Sequence, residues 1–245
     1  IGSELSSQVL MHNPKLLVCF DISESLLYEL QQKLSKSRYR ENVLYIVGDV
    51  KNSKRVAKVF SQYSPDVVYH AAAYKHVPLL ENTNSAEALF NNVIGTYNLC
   101  KISVKFNVSN FIFVSTDKAV NPTNIMGASK RMAEIVCLAF SKNSKSKINI
   151  VRFGNVLGSS GSVIPLFTKQ ISSGGPITVT DKNISRFFMS IPEASALILQ
   201  SCTFDNSGNI FILDMGKPIK IVDLAKTMIK LAGHGYDQIK IKYTG

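Results

Sequence analysis

The chain has 245 residues, 45% of them hydrophobic and 18% charged, and 28 lysines and arginines against 17 aspartates and glutamates give a formal net charge of +11. That apolar fraction is ample for a buried core and excludes a disordered chain, and the length allows one large domain or two small ones. No apolar run approaches the roughly 20 residues needed to cross a bilayer, and no charged-then-apolar signal opens the sequence, so a soluble, cytoplasmic chain is expected.

Cys19, Cys100, Cys137 and Cys202 are scattered through apolar segments without CxxC or metal-ligand spacing, which predicts no metal site and small core thiols of a reduced protein. The excess positive charge is spread along the chain, as in Lys51-Asn-Ser-Lys-Arg55 and Lys142-Asn-Ser-Lys-Ser-Lys147. Solvated helix faces explain it without nucleic acid, and a polyanionic small substrate also fits.

In chain order, Lys15–Phe20 is a short apolar run ending in Asp21, and Ser25–Lys36 carries Leu26, Leu27, Leu30 and Leu34 at helical spacing. Val43–Val47 is the next run, followed by a helical stretch around Val56, Val59 and Phe60. Asp66–His70 precedes a long helical segment near Ala86–Phe106; Asn110–Val114 precedes a helix over Thr123–Phe140; Ile148–Val151 completes the series. Near-continuous apolar runs alternating with helices predict parallel strands joined by right-handed crossovers, a doubly wound α/β sheet. After Phe153 glycines and prolines interrupt the pattern, leaving helical pieces at Pro192–Ser201 and Ile221–Leu231 and a strand at Asn209–Leu213. Two parts are therefore expected: a Rossmann-like nucleotide-binding domain over 1–153 and a smaller mixed lobe over 154–245.

In such a sheet ligands lie beyond the carboxyl ends of the strands. The chain opens on Ile1-Gly2-Ser3-Glu4-Leu5, a helix without the strand that the alternation calls for. Gly2 suits the last glycine of a phosphate loop, and a helix start explains it equally well. Asp21 lies about 20 residues on, where a carboxylate accepts hydrogen bonds from an adenosine ribose and repels a 2′-phosphate, favouring NAD over NADP; a helix cap is the alternative. Asp49 and Val50, after the second run, are placed to meet adenine. The adjacent Asp117 and Lys118, just past the Asn110–Val114 run, are an acid and a base that burial can tune, or two solvated charges on a turn.

Ile1-Gly-Ser-Glu-Leu5, Ala71-Ala-Ala-Tyr-Lys-His-Val-Pro78, Asn92-Val-Ile-Gly-Thr96, Ser115-Thr-Asp-Lys-Ala-Val-Asn-Pro122, Met126-Gly-Ala-Ser-Lys130 and Arg152-Phe-Gly-Asn-Val-Leu-Gly158 follow in order. Together they resemble the extended short-chain dehydrogenase/reductase superfamily, and within it the CapD-like UDP-N-acetylglucosamine 4,6-dehydratases of polysaccharide biosynthesis, over the whole chain. The resemblance implies NAD as cofactor and a UDP-sugar as substrate. The sugar C4 alcohol is oxidised by hydride transfer, water is eliminated across C5–C6, and the hydride returns to C6. It implies that Thr116 hydrogen-bonds O4, Asp117 protonates the leaving hydroxyl and Lys118 takes the C5 proton. Met126 stands where most of the superfamily has a tyrosine; the larger dehydratases share the methionine, and the base for the C4 hydroxyl is left unassigned. Lys130, four residues on and on the same helix face, is expected at the nicotinamide ribose.

Ala71, Ala72 and Ala73 are expected to wall the cofactor, Lys75 to reach a phosphate and His76 to organise its loop. Asn92 is expected to bridge backbone groups inside the sheet. Asn155, Ser162 and Arg186 are expected to grip the nucleotide diphosphate or uracil. Family members begin with a strand and a Gly-x-x-Gly-x-x-Gly loop and continue past Gly245. The resemblance therefore implies a piece of a longer homo-oligomeric protein, with a membrane tether outside this stretch that would hold it at the inner face. On its own, the piece is expected to be unstable and to bind NAD poorly. Two other readings fit the residues less well: an epimerase or reductase, which would keep the tyrosine and lack the Asp-Lys pair, and a non-catalytic NAD-binding scaffold, for which Met126 argues.

Overall fold

Apolar runs with no polar alternation suit strands covered on both faces, and the amphipathic stretches between them supply the covers. The computed structural model describes residues 1–159, 161–235 and 237–245, and divides into two compact units, Ile1–Phe153 with Ser195–Leu213, and Gly154–Ala194 with Asp214–Gly245. In the first unit α1 (Gly2–Met11), β1 (Leu17–Asp21), α2 (Glu24–Leu34), β2 (Val43–Val47), α3 (Ser53–Tyr63) and β3 (Val67–His70) alternate as the sequence predicts. There follow α4 (Val77–Leu80), α5 (Ser85–Leu89), α6 (Gly95–Lys105), β4 (Asn110–Val114), α7 (Ile125–Lys142) and β5 (Lys147–Arg152).

The second unit holds β6 (Asn155–Val156), α8 (Val163–Ser172), β7 (Ile177–Val179), β8 (Ser185–Arg186) and β9 (Phe188–Met189). Next, α9 (Ile191–Ser201) leads back to β10 (Ile210–Ile212) of the first unit, before β11 (Ile219–Lys220), α10 (Ile221–Leu231) and β12 (Ile241–Tyr243) of the second. The sequence reading places all of 154–245 in one lobe. Ser195–Leu213 instead belongs with the first unit because β10 pairs in parallel with β5, Ile210 opposite Ile150.

The strands form a Rossmann-like α/β arrangement. One parallel sheet runs β10-β5-β4-β3, and β1 and β2 form a second parallel pair, Leu17 opposite Val43. The expected single sheet is thus in two groups: among the described residues β1 bonds only to β2, and β3 only to β4. One core nevertheless serves both, since Phe20 of β1 packs with Phe111 and Phe113 of β4, Val56 and Phe60 of α3, Leu99 of α6 and Cys137 of α7. The second unit builds its own core from Phe167 and Ile171 of α8, Ile177 and Val179 of β7, and Ala225 and Ile229 of α10. Between Phe153 and Pro192, where the sequence predicts no helix, α8 forms with Pro165 in its first turn, a place where the missing N–H breaks no bond.

The expected long helix over 86–106 is not regular. A π turn over Phe90–Ile94 separates α5 from α6 and swings Asn91 and Asn92 inward. Asn92, 1% exposed, receives Tyr74 N–H on Oδ1 (2.8 Å) and donates from Nδ2 to Tyr74 O (3.0 Å) and Ser129 Oγ (2.9 Å). It therefore bridges backbone groups of the loop after β3, not groups inside the sheet, and ties that loop to α7.

Candidate functional site

The carboxyl end of β4 breaks into a single 3-10 turn, Asp117–Ala119, because Thr116 caps it: Lys118 N–H donates to Thr116 Oγ1 at 3.3 Å. The same hydroxyl donates to Asp117 Oδ1 at 2.9 Å. Asp117 Oδ1 also takes the Lys118 ammonium at 3.0 Å, with the two side chains 45% and 33% exposed. Two backbone bonds hang this turn from the end of β5 and the residue after it, Ser115 N–H to Val151 O (2.7 Å) and Asp117 N–H to Phe153 O (3.0 Å). A hydroxyl, an acid and a base thus share one short, solvent-reachable turn.

α7 supplies the other side. Asn124 caps it through Gly127 N–H (2.8 Å), and its inward face carries Met126, Gly127, Ser129, Lys130, Ala133, Glu134 and Cys137. Met126 packs among Leu80, Ala88, Val77 and Ile125 and offers no ionisable proton. Gly127 is a contact the sequence reading missed: a Cβ there would lie 2.2 Å from the Lys118 carbonyl oxygen, so only glycine lets α7 come this close to the acid–base turn. Lys130 is 5% exposed; its ammonium donates to Val114 O at 2.6 Å and sits 3.9 Å from the centre of the Phe113 ring. Burial lowers its pKa from 10.5 to about 7, against the opposing influence of Cys137 and Glu134. Its bond to β4 is the one made here; the expected bond to a ribose requires a bound cofactor.

Two further buried polar residues, His70 and Glu134, escape the sequence reading. His70, at the end of β3, lies 2.9 Å from Thr96 Oγ1, whose own proton goes to Asn92 O, so His70 Nε2 is the donor. Burial, with the Lys130 charge beside it, pushes the His70 pKa down to about 3. Glu134 is wholly buried; Oε1 accepts from Ser115 Oγ (2.7 Å) and Arg152 Nε (2.7 Å), and Oε2 from Arg152 Nη2 (2.5 Å) and Arg131 Nη1 (2.9 Å). Burial opposes its ionisation, but hydrogen bonds from Arg152, Ser115 and Arg131 hold the carboxyl below its ordinary pKa. A charge on the apolar stripe of α7, one turn beyond Lys130, was the signal available in the sequence.

The residues expected at a cofactor lie at the carboxyl ends of successive parallel strands. Asp21 ends β1, and its Oδ1 accepts Ser23 N–H at 2.8 Å, so it caps the turn into α2 as well. Asp49 follows β2 and binds Lys51 N–H at 2.8 Å, while Val50 is buried against α6, where a Cβ on Gly95 would meet it at 2.7 Å. Ala71, Ala72 and Ala73 follow β3, half-buried, with no side chain beyond a methyl to obstruct a ligand. Gly2 lies in the first turn of α1, and an added Cβ would touch nothing within 4 Å. Lys75 is on the exposed loop, partial burial lowers its pKa, and its charge reaches Ile1 at the start of α1. A helix N-terminus, a nearby lysine, ribose-type acids and a small-residue wall are a donor set that fits a dinucleotide. His76 caps α4, its carbonyl accepting Leu79 N–H at 3.1 Å.

The other three expected residues are in the second unit. Asn155 on β6 donates its N–H to Phe187 O at 3.2 Å. Ser162 precedes α8, with its hydroxyl buried and unbonded among the described residues. Arg186 on β8 is exposed and donates to Ser185 O at 2.9 Å.

Fold and site together define a Rossmann-like domain of the kind that binds nucleotides at its strand ends, with an acid–base turn at the end of β4. The chain belongs to the polysaccharide biosynthesis protein family, whose model matches residues 1–245. It is 48% identical to the capsular polysaccharide biosynthesis protein CapD of Staphylococcus aureus, over all of this chain and 41% of that protein, so it spans about two fifths of that relative. Among solved structures, Pen from Bacillus thuringiensis superposes with a TM-score of 0.91 at 36% identity, covering all of this chain and 78% of that one. DesIV of Streptomyces venezuelae, a dTDP-glucose 4,6-dehydratase solved with NAD, shares the fold at a TM-score of 0.87 and 18% identity, over all of this chain and 81% of its own.

Proposed function

We propose that the full-length protein is an NAD-dependent 4,6-dehydratase that converts UDP-N-acetylglucosamine to a UDP-4-keto-6-deoxy sugar for surface polysaccharide. The observation that carries the reading is the Thr116–Asp117–Lys118 turn, a hydroxyl, an acid and a base held together at the strand end beside the buried ammonium of Lys130. Gly2, Asp21, Asp49, Val50, Ala71, Ala72, Ala73 and Lys130 are the residues assigned to NAD, which when bound supplies a hydride acceptor and donor. Thr116 orients the O4 hydroxyl, Lys118 takes the C5 proton and Asp117 gives its proton to the departing O6 hydroxyl. An acid and a base already bonded to each other can pass a proton between them once elimination is complete. Lys130 places positive charge next to the strand end and, near its transition at about pH 7, can hold or release a proton there. Met126 contributes shape only. Lys75, Asn155, Ser162 and Arg186 are assigned to the nucleotide of the substrate. Exposed Phe90, Ile94, Tyr97, Met132 and Ile135 support association with a second copy of the chain. A membrane tether outside residues 1–245 completes the reading.

Incubating the full-length protein with UDP-N-acetylglucosamine should yield a product lighter by one water in electrospray mass spectrometry. In D₂O that product should carry solvent deuterium at C5, with no accumulating NADH absorbance. Stoichiometric NADH would mark a simple dehydrogenase, and an isomer of unchanged mass an epimerase; either sinks the dehydratase reading.

A further inference from the structure

We propose that Glu134 is a positioning residue, which clamps Ser115 to Arg152 and thereby fixes the Thr116–Asp117–Lys118 turn relative to the helix that carries Lys130. The inference rests on reading that turn as the acid–base site. Its basis is the geometry of one oxygen. Glu134 Oε1 accepts from Ser115 Oγ and from Arg152 Nε, both at 2.7 Å, so a single atom joins the exits of β4 and β5.

The two residues it joins are the ones that frame the turn. Ser115 immediately precedes Thr116, and Arg152 lies between Val151 and Phe153, the two residues whose carbonyls receive Ser115 N–H and Asp117 N–H. Side-chain clamp and backbone bonds therefore alternate along the same few residues. A carboxylate with no exposed surface is costly unless every lone pair is used, and here four donors use them. Three of those bonds come from Ser115 and Arg152, and only the fourth from a side chain nearer solvent, Arg131.

The same carboxylate stands one helical turn beyond Lys130. The groups facing the Lys130 ammonium are His70 from β3, the Phe113 ring of β4, and Cys137 and Glu134 of α7. With His70 neutral, Glu134 is the anion among them, and its charge resists the loss of the Lys130 proton that burial favours. One residue thus sets both the place of the turn and the charge state of the lysine behind it.

The test uses the full-length protein with Ser115→Ala and, separately, Glu134→Gln. Hydrogen exchange at residues 116–119 should quicken about tenfold or more in each, while exchange in 110–114 and 147–150 stays as in the parent. Turnover should fall between about tenfold and 100-fold with KM within about twofold, since misplacement of catalytic groups acts on the chemical step. In Glu134→Gln, the limb of the pH profile governed by Lys130 should also move to lower pH, because a neutral amide no longer favours the ammonium. Unchanged exchange at 116–119 in folded variants would overturn the proposal, as would exchange rising equally through β4 and β5. If Glu134→Gln does not fold, Ser115→Ala decides alone, because it leaves the ion pair in place. If the parent does not dehydrate the nucleotide sugar, the proposed function falls while the exchange measurement still decides the clamp.

Discussion

The two lysines of the site occupy opposite environments. Lys118, on the turn after β4, is a third exposed and shares an oxygen of Asp117; Lys130, on α7, is buried against a backbone carbonyl and a phenylalanine ring. An ion pair in contact with water contributes at most about 1 kcal/mol, so Asp117 and Lys118 stay near each other without being locked. Lys130 has already lost its water, and its proton is held less tightly than a solvated lysine holds one. The turn is open to solvent, whereas the Lys130 side of the helix is buried. The exposed ion pair and the buried lysine are separated by a helix–turn contact that only Gly127 permits.

Four substitutions in the full-length protein would break or sharpen this contrast. The largest effect is expected from Asp117→Asn, which keeps the shape of the turn and removes its acid; water loss measured by mass spectrometry should slow by about 10²- to 10⁴-fold. Lys130→Met tests the dry side. The unfolded chain keeps the Lys130 proton up to its ordinary pKa of 10.5, while the folded chain releases it at about 7. Stability should therefore rise with pH across that window, by on the order of a few kcal/mol, and below it the penalty of a buried charge is fully present. Urea unfolding at a series of pH values should show this slope in the parent and not in Lys130→Met. Gly127→Ala attacks the contact itself: with backbone oxygen 2.2 Å away, α7 or the turn must shift, at a stability loss of about 1–3 kcal/mol and with slower turnover. A calorimetric melt indistinguishable from the parent's would show that the approach is looser than described. Met126→Leu, a swap of nearly equal volume, should cost less than about 1.5 kcal/mol and slow turnover by less than about tenfold. A Met126→Leu protein as inactive as Asp117→Asn would give the methionine a chemical role.

The strands were legible because parallel strands covered on both sides demand unbroken apolar runs: Val43–Val47 and Asn110–Val114 match their expected spans residue for residue. The turn itself was expected from Asp117 and Lys118 just past the Asn110–Val114 run, while roles for Thr116, Asp117 and Lys118 came only from the resemblance of the surrounding Ser115–Pro122 block. What supports the turn was not legible, because those residues act through packing and burial that no local pattern announces. Gly127 is an ordinary helix glycine until the Lys118 carbonyl is opposite it. Glu134 and Arg152 are distant in sequence and meet only when α7 lies across the ends of β4 and β5. The return of β10 to the first unit was equally hidden, since an apolar triplet pairs with whichever strand edge is free.

The π turn at Phe90–Ile94 makes the helical segment around it sensitive to length. A π turn accommodates one residue more than an α turn, so it behaves as an insertion absorbed within a helix. Removing one residue between 90 and 94 would let α5 and α6 merge into one regular helix with both flanks keeping their faces, so the loss would fall on the residues of the turn itself. Ala88 would still pack against Met126, but Asn92, held inward by the widened turn, would lose its place opposite Tyr74. The asparagine clasp between the loop after β3 and α7 therefore depends on that one extra residue.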